Sequence, residues 1–421
     1  MKISFSTKIT AKGLIAVSAD SPGKVNLKRK SFKDAPLFIY KEKSAKEFGS
    51  LAIAEAKKLK LNLVEFVESK FDKDLIAEGA LLSNYSFDKF LSKKPSKVQT
   101  ITFIGKGKVK KRDLSGVFLA RDLGNLPANH CTPKTLVDTA KEIAKENKLK
   151  ITVYTKRELE KLGAGALLAV AQGSELEPYL IKLEYKTNSK RNVAIIGKGI
   201  TYDTGGYSLK PPGSMDGMKH DMSGAAVVLG VMKSLGKPKV NVTAYIPTCE
   251  NMVSGKATRV GDVVKSLSGK TIEILNTDAE GRLILADAIT LAKRDKVTEI
   301  IDLATLTGGA LVALGTTCAA LLSNNDEMAE KLLSKSKKTE EMLWRLPLLS
   351  VHKKDLKSKI ADIKNIPGHR WAQTIIAALF LEEFVEKTPW VHLDIAGVAD
   401  KDGESTGFGV RTVLEYLSTE Q

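Results

Sequence analysis

From about residue 113 onward, short apolar runs alternate with helix-patterned segments, and that alternation restricts the chain to one class of architecture. Val193–Gly197 (VAIIG) is an uninterrupted apolar run suited to a strand covered on both faces. Ser223–Leu235, with its alanines and branched aliphatics, reads as a helix, and Val240–Ile246 and Thr271–Leu275 read as strands. Leu283–Ala292, rich in Leu and Ala, is a strong helix signal; Ile300–Leu303 follows as a strand and Thr374–Val385 as a helix. Parallel neighbours need a crossover between them, so this order implies an α/β domain with a central, mostly parallel sheet flanked by helices. Such sheets place their sites on loops following the carboxyl ends of strands. The first third reads as a smaller α/β unit. Ser44–Lys60 has helical periodicity, Val98–Phe103 and Gly116–Leu119 read as strand-like or connecting segments, and Gly105–Arg112 (GKGKVKKR) is a charged boundary. The expected domains are 1–112 and 113–421.

Composition removes several classes. No apolar run approaches membrane-spanning length. Met1–Asp20 carries Lys2, Lys8 and Lys12, but its apolar stretch Gly13–Val17 is too short for a signal-peptide core, so the expectation is a soluble, cytoplasmic protein. Cys131, Cys249 and Cys318 are far apart and odd in number, which indicates three reduced thiols and neither a disulfide framework nor a thiolate zinc site. The formal charge of +17 is uneven: residues 1–113 hold 25 Lys and Arg against 12 Asp and Glu, the remainder 41 against 37. A basic first third keeps a nucleic-acid partner open. The scattering of its lysines, without arginine and aromatic clustering, favours a plainly solvated surface.

Three segments carry chemistry. In Gly197–Pro211 (GKGITYDTGGYSLKP) an apolar strand runs straight into a glycine-bearing loop with Lys198, Asp203 and Lys210. In Met218–Ala225 (MKHDMSGA) Asp221 stands at the head of a helix, where an isolated Asp is most often an N-cap. In Leu275–Leu283 (LNTDAEGRL) Asp278 and Glu280 are two apart. An extended backbone would aim both at one point, with Arg282 following if the extension persists. Asp203, Asp221, Asp278 and Glu280 gathered in a low-dielectric site would repel strongly, and two divalent cations would offset them. Carboxylate-rich, histidine-poor ligation suits Mg²⁺, Mn²⁺ or Zn²⁺ without choosing among them. A lysine beside such cations would have its amine pKa pushed down and could ligate as a neutral amine. A phosphate cradle is the weaker reading, because Gly197–Gly199 lacks the third glycine of the dinucleotide fingerprint and no GxxxxGK[ST] occurs.

The octapeptide Asn276–Leu283 (NTDAEGRL) resembles the signature of the leucyl aminopeptidase (cytosol aminopeptidase) family of two-metal metallopeptidases. Gly197–Pro211, Asp221, Pro247–Leu283, Asp302–Gly308 (DLATLTG) and Trp390–Gly397 (WVHLDIAG) resemble family blocks in order and spacing, and Arg121–Pro133 resembles the block that opens the catalytic domain. The resemblance implies an exopeptidase that removes the N-terminal residue of peptides. It implies one metal on Lys198, Asp203, Asp221 and Glu280, and a second on Asp203, Asp278 and Glu280, with the cations activating a water. Zn²⁺ and Mn²⁺ would be the usual ions, Mg²⁺ or Co²⁺ the alternatives. Lys210 would stabilise the oxyanion, and Arg282 would hold a bicarbonate acting as general base. Thr305, Leu306 and Gly308 would bind the peptide backbone; Met218 and Ala396 would line an apolar pocket for a Leu- or Met-like first residue. His220 and His392 would not be ligands. The family's usual assembly implies a homohexamer. Two rival functions remain: an additional architectural role on DNA through the basic first third, and a two-metal phosphate-ester hydrolase.

Overall fold

The computed structural model describes residues 1–6, 8–10, 12–18, 36–40, 44–67, 71–110 and 112–418. Asp20, Lys111 of the boundary segment and several basic residues of the first third (Lys24, Lys28, Arg29, Lys30, Lys33) lie outside the described residues. The chain divides into two compact units, Met1–Leu114 and Ser115–Gln421.

The first unit contains β1 (Lys2–Ser6), β2 (Leu14–Ser18), β3 (Leu37–Tyr40), α1 (Ala45–Lys58), β4 (Leu63–Phe66), α2 (Lys73–Ser83) and β5 (Thr100–Ile104). Its five strands pair in the order β1-β5-β4-β2-β3, every pair parallel. Ser44 caps α1 by accepting from Glu47 N, and Asp72 caps α2 through Asp74 N, so both helices start where a short polar side chain answers free amides. The core is aromatic: Phe48 meets Phe66 edge-on at 5.3 Å, and Phe66 stacks on Phe103 at 5.4 Å. The apolar stretch Gly13–Val17 falls largely in β2, where Leu14, Ile15 and Ala16 are buried.

The second unit begins with α3 (Ser115–Asn125), α4 (Pro133–Asn147), β6 (Lys150–Tyr154), α5 (Lys156–Leu162), α6 (Gly165–Ala171), β7 (Tyr179–Tyr185), β8 (Asn192–Gly197) and β9 (Gly199–Asp203). A short α7 (Pro212–Met215) and a 3-10 turn (Met218–Met222) lead into α8 (Ser223–Lys233) and β10 (Asn241–Asn251). Then come β11 (Val263–Lys265), β12 (Thr271–Glu273), α9 (Gly281–Arg294), β13 (Glu299–Ala304), α10 (Gly308–Leu314), β14 (Ala319–Ser323), α11 (Asp326–Thr339) and β15 (Leu343–Arg345). The chain ends with β16 (Ile363–Lys364), α12 (Gln373–Val385), β17 (Trp390–Asp394), a two-stranded hairpin of β18 (Asp400–Lys401) and β19 (Glu404–Ser405), and α13 (Val410–Leu417). The large sheet has the order β15-β14-β17-β13-β8-β10-β7-β6, with β9 also on β10. Its centre, β17-β13-β8-β10, is parallel; β14 and β7 join antiparallel. Helices cover the central strands, and from Gly281 to Ala292 every residue of α9 is buried.

Two local expectations fail. Gly116–Leu119 is helical, part of α3, whose buried residues Val117, Ala120, Leu123 and Gly124 recur at three- and four-residue spacing that a four-residue window conceals. Only Thr271–Glu273 of Thr271–Leu275 is a strand, and it belongs to a separate three-stranded sheet with β11 and β16.

Candidate active site

A joint in one strand places the first two charges. β8 and β9 pair one after the other with the same strand: Tyr245 of β10 stands opposite Ile196, and Thr248 opposite Gly199. Lys198 is the joint. Its N–H donates to Leu303 O (3.1 Å), its carbonyl accepts from Ala225 N (2.8 Å), and its side chain is thrown off the end of β8. The Nζ ammonium lies 2.7 Å from Asp221 Oδ1 and 2.8 Å from Glu280 Oε1, and donates to Thr305 O at 3.0 Å. Its stem rests on Gly281, where a Cβ would fall 2.6 Å from Lys198 Cε, so a larger residue there would displace the end of the lysine.

Asp203 ends β9, and the chain turns at once through Gly205 and Gly206, both at positive φ. Asp203 Oδ1 accepts from Gly205 N (2.9 Å) and Asn251 Nδ2 (2.8 Å), while Oδ2 faces Lys210 Nζ at 2.9 Å. Lys210 also pairs with Asp278. The carboxylate oxygens of Asp203, Asp221 and Glu280 all lie within 4.8 Å of one another, and all three residues are buried. Asp278 joins them through Lys210. Four carboxylates thus share two ammonium groups.

Asp221 is not an N-cap. It sits in the 3-10 turn before α8, accepts from Thr305 Oγ1 (2.8 Å), and its buried Oδ2 has no hydrogen-bond partner. The extended reading of 278–282 is also corrected: residues 277–278 form a turn, Glu280 has helical dihedrals, and Arg282 lies in the first turn of α9. Arg282 reaches the site from that helix. Its buried guanidinium donates from Nη1 to Asn365 O (2.6 Å), and Nε has no partner.

Burial dominates the electrostatics. Desolvation, with Asp203 adding repulsion, pushes the Glu280 carboxyl up to about 8 against the pull of Lys198. Desolvation likewise raises Asp221 to about 6 and raises Asp278. Burial alone would lower Lys198 and Lys210, but their carboxylate neighbours outweigh it and hold both amines above their usual value. Desolvation brings Arg282 down to about 10, which leaves it charged at neutral pH.

These groups open onto a cavity of about 650 Å³. Met218, Thr305, Leu306, Gly308 and Ala396 line it together with Lys198, Asp203, Lys210, Asp221, Asp278 and Arg282. Of the histidines, His392 is fully buried on Asp302 (2.6 Å), while His220 lines the cavity with Nε2 at 3.2 Å from Gly403 O. The three cysteines are free and buried; burial pushes Cys131 up to about 12. Three polar supports escaped the sequence reading. Asn251 holds both Asp203 and Thr277 O; Thr277 Oγ1 donates to Gly205 O; Asn365 accepts from Leu275 N and donates to Asn276 O. No charge marks them, and only the PTCEN and IKN strand ends could have drawn attention.

A family model described as the cytosol aminopeptidase family, catalytic domain, matches residues 118–414. The chain belongs to the cytosol aminopeptidase family. It is 48% identical over 359 residues to a probable cytosol aminopeptidase of Nitrosospira multiformis, an alignment covering 80% of this chain and 69% of that protein. Probable cytosol aminopeptidases of Alkaliphilus oremlandii and Clostridium perfringens are 42% and 41% identical, each across 90% of this chain and 82% and 84% of their own length. Membership makes the chain an aminopeptidase of the leucyl type, a metallopeptidase acting on peptides, and its buried acidic cluster is of the kind that binds metal. No described helix is long and apolar enough to cross a membrane.

Proposed function

We propose that this cytosol aminopeptidase works through two divalent cations, Zn²⁺ or Mn²⁺, one on Lys198, Asp203, Asp221 and Glu280 and the other on Asp203, Asp278 and Glu280. One observation carries this: three buried carboxylates, two of them lining the cavity, converge within 4.8 Å, and the two lysines paired with them do not balance their charge together with that of Asp278. The donor set fits. Asp221 Oδ2 is buried without a partner, which costs free energy unless something cationic or protic meets it. Oxygen ligands with a single amine suit hard or borderline dications. When bound, the pair supplies Lewis-acid polarisation of the scissile carbonyl and acidifies the attacking water.

The remaining steps belong to the chain itself. Lys210, only 14% exposed at its side chain and fixed by Asp203 and Asp278, is a positive charge already in place for the developing oxyanion. Arg282 offers a buried, charged guanidinium with Nε free, a cradle for a bicarbonate acting as general base. Lys198 must surrender a proton to act as an amine ligand, and its three acceptors oppose that until a stronger cation competes for them. Met218 and Ala396 give the first-residue pocket an apolar lining that favours Leu- or Met-like side chains.

The test is chelation followed by reloading with Zn²⁺ or Mn²⁺, with metal analysis and hydrolysis of leucyl p-nitroanilide and a panel of dipeptides. Expected are loss of activity on chelation, recovery near two equivalents per chain, and faster cleavage after Leu and Met than after Gly or Asp. Activity indifferent to chelation would remove the two-metal reading, and preference for acidic or glycyl substrates would remove the pocket assignment.

A further inference from the structure

The loop after β13 is tied at two places. Thr305 is bound to the acid cluster, through its Oγ1 on Asp221 Oδ1 and its carbonyl under Lys198 Nζ. The next residues are bound to a different carboxylate, Asp394, which is 1% exposed. Asp394 closes β17, and Ala304, the last residue of β13, stands opposite it in the parallel register. The loops after the two strands therefore leave the sheet side by side, and the Asp394 carboxylate lies between them. Its Oδ1 accepts from Leu306 N (3.1 Å), from Thr307 N (3.5 Å) and, across the gap, from Ala396 N (3.2 Å). Its Oδ2 accepts from Thr307 Oγ1 at 2.6 Å, and that hydroxyl is 2.8 Å from Thr374 Oγ1 on α12 and receives Ala310 N at 3.1 Å.

A trans peptide unit points its N–H and C=O in opposite directions. Drawing the Leu306 and Thr307 amides onto Asp394 therefore turns the Thr305 and Leu306 carbonyls the other way, Thr305 O onto Lys198. One carboxylate thus orients the backbone of one cavity wall, Thr305–Thr307, and of another, Ala396. Buried carboxylates that accept several N–H bonds hold geometry tightly, because any shift strands a donor or a charge.

We propose that Asp394 is a positioning residue for catalysis: it sets the spacing between the peptide-binding backbone at 305–308 and the first-residue wall at Ala396, and so governs how the N-terminal residue is held. The assignment rests on the substrate-site reading given above. Asp394→Asn keeps the shape but can accept on one oxygen only, so either the amides or Thr307 Oγ1 lose their acceptor. The expected result is a KM for leucyl substrates raised about tenfold, the scale of one charge-assisted hydrogen bond. The kcat should change far less, metal content should be unaltered, and the preference for Leu over Ala at the first residue should shrink. Thr307→Val, which removes the Oδ2 link from the other side, should raise KM less, and the double variant should be no worse than Asp394→Asn alone.

The proposal is overturned if Asp394→Asn matches the parent in KM and in first-residue preference, or if all substrates lose kcat alike while KM stays fixed. Because Asp394→Asn could destabilise the chain, melting temperature is recorded for every variant. Thr307→Val then decides by itself: an unchanged KM and preference there refutes the link. A parent without chelator-sensitive aminopeptidase activity would take down the site reading as well, whereas an active parent beside indifferent variants would take down only the role of Asp394.

Discussion

Both units of this chain are built on largely parallel sheets with buried charge, yet among the described residues only the second brings three buried carboxylates together. In the first unit the buried cation is balanced. Lys46 Nζ meets Glu78 Oε1 at 3.3 Å, Arg112 adds a second cation at 3.5 Å from Oε2, and the buried Glu65 accepts from Thr10 N. In the second unit four carboxylates share Lys198 and Lys210, and burial holds Glu280 and Asp221 well above the usual carboxylate range. A parallel sheet supplies a place for chemistry at its strand ends. What makes the place a site is charge that the protein leaves unbalanced. Balanced buried pairs serve structure; an acidic surplus waits for something cationic.

The largest effect expected from that contrast is at Glu280. Glu280→Ala removes the carboxylate that faces both Lys198 and Asp203. The kcat/KM for leucyl p-nitroanilide should fall on the order of a thousandfold or more, the scale for deleting a group central to transition-state charge. Bound metal should fall with it. In chelator, the same variant should melt no lower than the parent, because burial penalises the carboxyl that is removed. Full activity with full metal content would break the comparison.

The mirror-image variant lies in the first unit. Lys46→Met removes the cation 3.3 Å from the buried Glu78 Oε1, and unfolding should become easier by about 3 kcal/mol, the lower end for breaking a buried pair. Adding Glu78→Leu should restore most of that loss. Aminopeptidase activity of the folded protein should be unchanged throughout. Calorimetry with a parallel assay checks this. If Lys46→Met costs activity and not stability, buried pairing in that unit has a purpose other than structure.

The residues of the candidate site stood out in the sequence for a physical reason. Lys198, Asp203, Asp221, Asp278 and Glu280 are charged residues following apolar strands or opening helices, where burial makes charge conspicuous. The geometry of residues 278–282 differs from an extended segment. Gly281 starts a helix, so Arg282 comes to the site by helical rotation and not by strand alternation. Asn251, Thr277 and Asn365 are uncharged and act through single hydrogen bonds to backbone or carboxylate, which no periodicity displays. The sheet of the first unit was nearly hidden, because its strands are only four or five residues long and their pairing is entirely nonlocal.

The smallest effect is a slope against pH. Glu280 sits at about 8 and Asp221 at about 6 in the folded protein, both above the usual carboxylate range. The folded chain then binds more protons than the unfolded chain between roughly pH 4 and 8, so its stability falls as pH rises through that window. Chelated parent should lose several degrees of melting temperature across it, very roughly. Chelated Glu280→Ala, lacking the larger contributor, should lose less, and saturating Mn²⁺ should flatten the parent, since cations replace the protons. Lys46→Met should leave the slope as it was, because it leaves Glu280 and Asp221 in place. A chelated parent whose stability holds level or climbs over this range would mean that the acidic cluster is already neutralised by its two lysines, and the contrast between the two sheets would lose its physical basis.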